Sequence, residues 1–304
     1  MSVPSSSSPS SAPASLFHGL WIPLVTPFDT ADQVDHAALG ALVRDLAGRG
    51  VAGFVACGST GEAAALTAEE QLAVLDTTLA AAQGLPVLMG VGGYRLQGVL
   101  AQLDAVCARP VAGVLVAPPC YIRPSQEGLL TWFRTLADAS RVPLVLYDIP
   151  YRAGVELRLE TLLALAEHPR IQAIKDCGGD AGKTAALIAD GRLALLAGED
   201  VQIFGSLALG AAGAIAASAH RHTERFARVI ALLQAGSLAE ARALWQPLLP
   251  WVQAVFGEPN PGPVKALLAE AGQMADRLRA PMTAASPALR QRLHALEDGL
   301  LSRP

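Results

Sequence analysis

The sequence predicts an α/β chain that closes into a (β/α)₈ TIM barrel with a C-terminal three-helix appendix, and three observations carry that expectation. Eight short apolar runs recur along the chain: Leu20–Thr26, Gly53–Cys57, Pro86–Val91, Gly113–Ala117, Pro143–Tyr147, Ile171–Lys175, Leu193–Ala197 and Ala214–Ala217. Ala/Leu-rich segments of helical period separate them, at about 35–49, 67–83, 95–108, 125–139, 158–167, 181–190, 201–210 and 221–235. Each repeat is one βα unit of roughly 20–30 residues, and strands that read as continuous apolar runs suit a parallel sheet buried on both faces. A doubly wound sheet is the competing architecture, but it usually stops near six strands and needs no such regular count.

Three more helical patterns follow at 237–256, 263–273 and 286–301, with Pro-rich breaks at 259–263 and Pro281. They predict a helical appendix over residues 236–304, packed on a barrel that spans 16–235. Residues 1–15 are rich in Ser and Pro, with neither a basic start nor an apolar centre. They read as a disordered leader and not as a signal peptide.

Composition bounds the function. With 52% hydrophobic and 16% charged residues in 304, much of the chain is interior, and one large core fits. Gly, Pro or charge breaks every apolar run short of the ~20 residues that span a bilayer, so no membrane is expected. A net charge of −4, without a basic run, argues against nucleic acid. Small molecules and copies of the same chain remain as partners. Cys57, Cys107, Cys120 and Cys177 are scattered without a CxxC pair, which implies reduced thiols and a cytoplasmic setting. Only three of the 23 basic residues are lysines: Lys175, Lys183 and Lys265. GC-rich codon usage accounts for the bias, but not for a Lys kept inside an apolar strand.

In such barrels the active site gathers at the C-terminal ends of the strands. The residues there are GSTGE at 58–62, Cys120 and Tyr121, Tyr147-Asp148-Ile149-Pro150 running on to Arg152, Lys175-Asp176, Gly198-Glu199-Asp200 and Ser218-Ala219-His220. Alternation puts Ile171, Ala173, Lys175 and Cys177 on one strand face and Gln172, Ile174 and Asp176 on the other. Lys175 has two readings. It is a structural ammonium paired with Asp176 or Glu199, or a desolvated amine that attacks a ketone. The GSTGE loop, with its backbone N–H groups and the Ser59 and Thr60 hydroxyls, either holds a substrate carboxylate or is a plain turn. Tyr147 and Tyr121 relay protons or pack at the rim, and Arg152 clamps a second carboxylate or is a surface residue. His220 and His222 form the one local pair of metal-ligand type, too few for a metal site. No GxGxxG follows a strand, so no dinucleotide cofactor is expected either.

GSTGE at 58–62, YIRPSQEGL at 121–129, YDIPYRAG at 147–154, IKD at 174–176 and EPNPGPVK at 258–265 together resemble the dihydrodipicolinate synthase / N-acetylneuraminate lyase superfamily. These are pyruvate lyases that work through a Schiff base. The resemblance implies that Lys175 condenses with pyruvate or another 2-oxo acid while Tyr147 shuttles protons. Ser59 stands where the synthases usually have Thr and would relay a proton to Tyr147. Thr60, with the loop backbone from Gly58, would bind the 2-oxo acid carboxylate. Tyr121 would reach into a neighbouring subunit of a homotetramer built as a dimer of dimers. Arg152 matches the residue that receives the carboxylate of the aldehyde, and Ile215 lines the pyruvate pocket. RPSQEGL and Arg152 favour the dihydrodipicolinate synthase-like branch, whose reaction joins pyruvate to L-aspartate 4-semialdehyde.

Three positions depart from that branch. Asp148 replaces an Asn, Tyr151 is bulkier than the usual small residue, and Cys120 replaces the first of two adjacent tyrosines. The added negative charge of Asp148 is expected to alter which electrophile is accepted. These departures leave open a paralogous aldolase, dehydratase or deaminase acting on another 2-oxo acid. A non-catalytic barrel would be marked by loss of Lys175 or Tyr147, and both are present. The allosteric lysine site of many synthases would fall at Ala63, Ala68, Gln71, Tyr94, Gly98 and Cys120, where Gly98 removes a carboxylate and Cys120 an aromatic wall, so no feedback inhibition by lysine is expected.

Overall fold

In the computed structural model, which describes residues 16–301, eight parallel strands close a barrel in sequence order. They are β1 (Gly19–Pro23), β2 (Gly53–Ala56), β3 (Val87–Val91), β4 (Gly113–Val116), β5 (Leu144–Asp148), β6 (Ile171–Asp176), β7 (Ala194–Ala197) and β8 (Gly213–Ile215). Helices α1 (His36–Ala47), α2 (Ala68–Ala81), α3 (Leu96–Cys107) and α4 (Gln126–Ala139) follow the first four strands in turn. After β5 come a short α5 (Pro150–Ala153) and α6 (Leu159–Leu165), then α7 (Ala181–Asp190), α8 (Ile203–Ala208) and α9 (Thr223–Gln234). The chain ends in α10 (Leu238–Val255), α11 (Gly262–Glu270) and α12 (Pro287–Leu301). The expected barrel and the three C-terminal helices are therefore present. Residues 1–15, read from sequence as a leader, lie outside the described residues. Among those described, no helix is long and apolar enough to cross a membrane.

Local chemistry starts the helices where the loops end. Thr67 and Glu70 form a reciprocal capping box at α2, and Asp180 accepts from the backbone N–H groups of Gly182 and Lys183 at α7. Strand alternation then divides the interior. Trp21, Val55, Leu88, Leu115, Val145, Ala173, Leu196 and Ile215 point inward from the eight strands and pack together, with Phe17 below β1. Their neighbours face outward into a larger core shared with the helices.

Two strand ends differ by more than one residue from the sequence reading. β1 stops at Pro23 because the backbone N–H of Val25 turns to His220 Nε2 and Thr26 Oγ1 donates to Gly61 O. β8 stops at Ile215, and Ser218–His220 forms a 3₁₀ turn held where Ser218 N donates to Asp200 Oδ2. Long-range bonds end both strands, and an apolar run shows none of them.

All three lysines are buried. Lys265 of α11 pairs with Glu62 of the GSTGE loop and donates to Arg277 O at 2.8 Å. Arg279 N donates to the other Glu62 oxygen at 3.1 Å. The C-terminal helices are thus tied to the loop after β2, and Glu62 holds a left-handed backbone there at φ 53°. Lys183 of α7 pairs with Asp148 at 2.7 Å and also donates to Leu157 O.

That pair corrects one expectation. Asp148 is fully buried, accepts from Leu157 N, and is neutralised by Lys183 behind the strand. It adds no charge to the pocket mouth. Burial still lifts its carboxyl above the ordinary range, with the Lys183 ammonium pulling the other way. Removing one member of a buried pair strands the other. Lys183→Met is expected to cost about 3–5 kcal/mol in urea unfolding, and adding Asp148→Asn should restore most of it. Equal destabilisation in the single and double variants would refute the pairing account.

Candidate active site

Lys175 sits at the C-terminal end of β6, in register with Tyr147 on β5, so both side chains enter the barrel from adjacent strands. Its Nζ lies 4.4 Å from the centre of the Tyr147 ring. Lys175 is only 7% exposed, and it alone of the three lysines has no carboxylate partner among the described residues. The two acids that could have paired with it are engaged elsewhere. Asp176 accepts from Thr184 Oγ1 and Gly178 N on the outer face of the strand, and Glu199 accepts from Tyr151. Gly198 leaves the room the amine needs. A Cβ there would stand 2.7 Å from Lys175 Cγ and 2.9 Å from Cε.

Burial pushes the Tyr147 phenol well above its ordinary value; the Cys177 thiol beside it adds to the rise, and the Ser59 hydroxyl draws it back. Tyr147 is therefore a protonated donor linked to Ser59. Burial also pushes the Cys177 thiol up, so it remains a neutral wall.

Above Lys175 opens a cavity of about 370 Å³. Ser59, Thr60, Tyr147, Arg152, Lys175 and Ile215 all line it, so six of the eight residues singled out from sequence meet at one place. Thr60 is buried, and its Oγ1 accepts from Asn260 Nδ2 at 2.9 Å. The Thr60 hydroxyl proton thus stays free to meet an anion. The Arg152 guanidinium lies 6.0 Å from the Tyr151 ring centre and has no carboxylate partner among the described residues. Asp200 is buried beside the pocket, where Ser218 donates to its Oδ2 through both N and Oγ. Burial raises its carboxyl to about 6 against those bonds.

The remaining two residues stand apart. Gly58 caps the 3₁₀ turn Ser59–Gly61 and positions the loop without walling the cavity. Tyr121 is 87% exposed, outside the cavity, with a left-handed backbone at φ 73°. Sequence reasoning missed Asn260, Tyr151 and Glu199 as pocket residues, although EPNPGPVK and the end of strand 7 pointed at two of them. His220 and His222 do not converge. His220 is buried, with Nδ1 on Ala217 O, and burial lowers it to about 4. His222 packs edge-on against Trp251.

Residues 16–298 match the model of the dihydrodipicolinate synthetase family. A 4-hydroxy-tetrahydrodipicolinate synthase of Sorangium cellulosum is 38% identical over 280 residues, which is 90% of this chain and 93% of that one. The 4-hydroxy-tetrahydrodipicolinate synthase 2 of Clostridium acetobutylicum is 32% identical over 91% of this chain and 98% of its own. The crystal structure of a chloride-inhibited dihydrodipicolinate synthase from Acinetobacter baumannii, complexed with pyruvate, superposes with a TM-score of 0.90. It is 31% identical, and the match covers 93% of this chain and 98% of that one. The chain is an enzyme and belongs to the dihydrodipicolinate synthetase family.

Proposed function

We propose that the enzyme condenses pyruvate with L-aspartate 4-semialdehyde through an imine on Lys175, as a 4-hydroxy-tetrahydrodipicolinate synthase. The observation that carries this reading is the unpaired, buried Lys175 facing a cavity beside a protonated Tyr147. The amine adds to the pyruvate ketone, and a proton from Tyr147 lets the hydroxyl leave as water. The iminium loses a methyl proton to give an enamine, whose carbon attacks the aldehyde while the aldehyde oxygen takes up a proton. Thr60, whose hydroxyl proton is uncommitted, and the loop amides hold the pyruvate carboxylate. Arg152, without a carboxylate partner among the described residues, receives that of the aldehyde. Pyruvate in the Acinetobacter relative's complex agrees with this assignment.

The same reading assigns Tyr121 to a neighbouring subunit. An aromatic residue at φ 73° is costly to hold and stands 87% exposed on the single chain, which suits a residue fixed by a partner copy. A homotetramer, as a dimer of dimers in the cytoplasm, is the proposed assembly. Light scattering of the purified chain should return four times the chain mass, and a monomer would remove Tyr121 from the relay.

Incubation with pyruvate followed by borohydride should leave one stable adduct, mapped by mass spectrometry to the peptide bearing Lys175. Lys175→Ala should abolish it and lower turnover at least about a thousandfold. An adduct elsewhere, or turnover retained in Lys175→Ala, overturns the mechanism. A trapped pyruvate imine that L-aspartate 4-semialdehyde fails to discharge overturns the choice of electrophile.

The positions of the lysine-regulated site support an unregulated enzyme. Gln71 Nε2 donates to Ala63 O at 2.9 Å, and its Oε1 accepts from Gln102 at 2.6 Å, so its polar ends are used within the chain. Gly98 offers no carboxylate, and Cys120 no aromatic wall. Initial rates should stay within about twofold at millimolar L-lysine, and clear inhibition there would show that a lysine site survives.

A further inference from the structure

The cavity is lined by two basic residues and three acids, Lys175 and Arg152 against Glu199, Asp200 and Glu258. At short range in a partly dry site, opposite charges are drawn together strongly. Yet neither basic residue has a carboxylate at salt-bridge distance among the described residues, and hydroxyl groups hold the three acids instead. Ser218 donates to Asp200, Ser286 to Glu258, and Tyr151 to Glu199 Oε1 at 2.8 Å. Tyr151 adjoins both Glu199 and Arg152, with its hydroxyl on the one and its ring 6.0 Å from the guanidinium of the other. It bridges the ends of β5 and β7 above the Lys175 that β6 carries between them. A small side chain, usual here in the family it resembles, could not span that gap.

We propose that Tyr151 determines specificity for the electrophile by holding Glu199 away from Arg152, which keeps the guanidinium open for a substrate carboxylate. This rests on the reading of Arg152 as the aldehyde-carboxylate receptor. Without the phenol hydroxyl, Glu199 is released to pair with Arg152 and competes with the incoming anion. The effect is confined to anionic aldehydes, and it disappears when Glu199 loses its charge. Burial and the carboxylate at its hydroxyl both push the Tyr151 phenol up, so it stays a donor across the working pH range.

The test compares Tyr151→Phe, which keeps the ring, with Tyr151→Phe/Glu199→Gln. Succinic semialdehyde is the anionic probe, because it carries a carboxylate but no ammonium for Glu199 to meet, and butanal is the neutral one. Tyr151→Phe should raise KM for succinic semialdehyde about tenfold, with kcat changed far less and the KM for butanal unmoved. The double variant should return KM to within about twofold of the parent. An unchanged KM in Tyr151→Phe, an equal rise for both aldehydes, or no recovery in the double variant would each overturn the proposal. Affinity for succinate, a carboxylate that cannot react, is measured on the same pyruvate-treated proteins by calorimetry and should follow the same pattern. That arm needs no turnover, so a failed borohydride adduct sinks the Lys175 mechanism while the succinate affinities still decide the role of Tyr151.

Discussion

The site depends on a primary amine buried in a barrel with no carboxylate at salt-bridge distance among the described residues. Such a group is costly, and the usual remedy is a carboxylate at salt-bridge distance. This chain applies that remedy to Lys183 with Asp148 and to Lys265 with Glu62, and withholds it from Lys175. The withholding is built in. Asp176 faces away into the bonds of Thr184 and Gly178, and Glu199 is held by a phenol. The rest of the site follows from this arrangement, because an amine already in a tight ion pair would lack the space to meet a ketone.

The two paired lysines set the geometry that the unpaired one uses. Glu62 ends the loop that carries Ser59 and Thr60, and its bonds to Lys265 and Arg279 N fix that loop to the C-terminal helices. Asn260, five residues before Lys265, then reaches Thr60 directly. Lys183 and Asp148 tie the end of β5 to α7, one residue after Tyr147. The ordering cost of the pocket side chains is therefore met in large part outside the cavity, by the Lys183–Asp148 and Lys265–Glu62 pairs.

Much of this was legible in the sequence, for a physical reason. A lysine inside an apolar strand breaks the pattern that defines the strand, so Lys175 declared itself; alternation put it with Ala173 and Cys177, but misplaced Ile171, which packs in the outer core where β6 slips register against β5. Ser59, Thr60, Tyr147 and Arg152 follow the apolar runs directly, where barrel geometry puts chemistry. The illegible part was made of pairs distant in sequence. Asn260 lies 200 residues from Thr60 and Glu199 lies 48 from Tyr151, and periodicity carries no information across such gaps. Asp148 was misread for the same reason, since a lone acid at a strand end looks exposed until the lysine 35 residues on is seen against it.

This distinction also sorts the positions where the chain departs from the branch it resembles. A change of charge that brings its own partner, as Asp148 does with Lys183, is cancelled where it arises and leaves the pocket field as it was. The bulk at Tyr151 is different, because its hydroxyl bonds to a group that lines the cavity and its ring lies beside another. One departure is absorbed by the scaffold and the other is presented to the substrate. Difference from the family pattern is therefore a poor guide to altered chemistry until the partner of each changed atom is known. By that criterion Tyr151, and not Asp148, is the departure that bears on the proposed choice of electrophile.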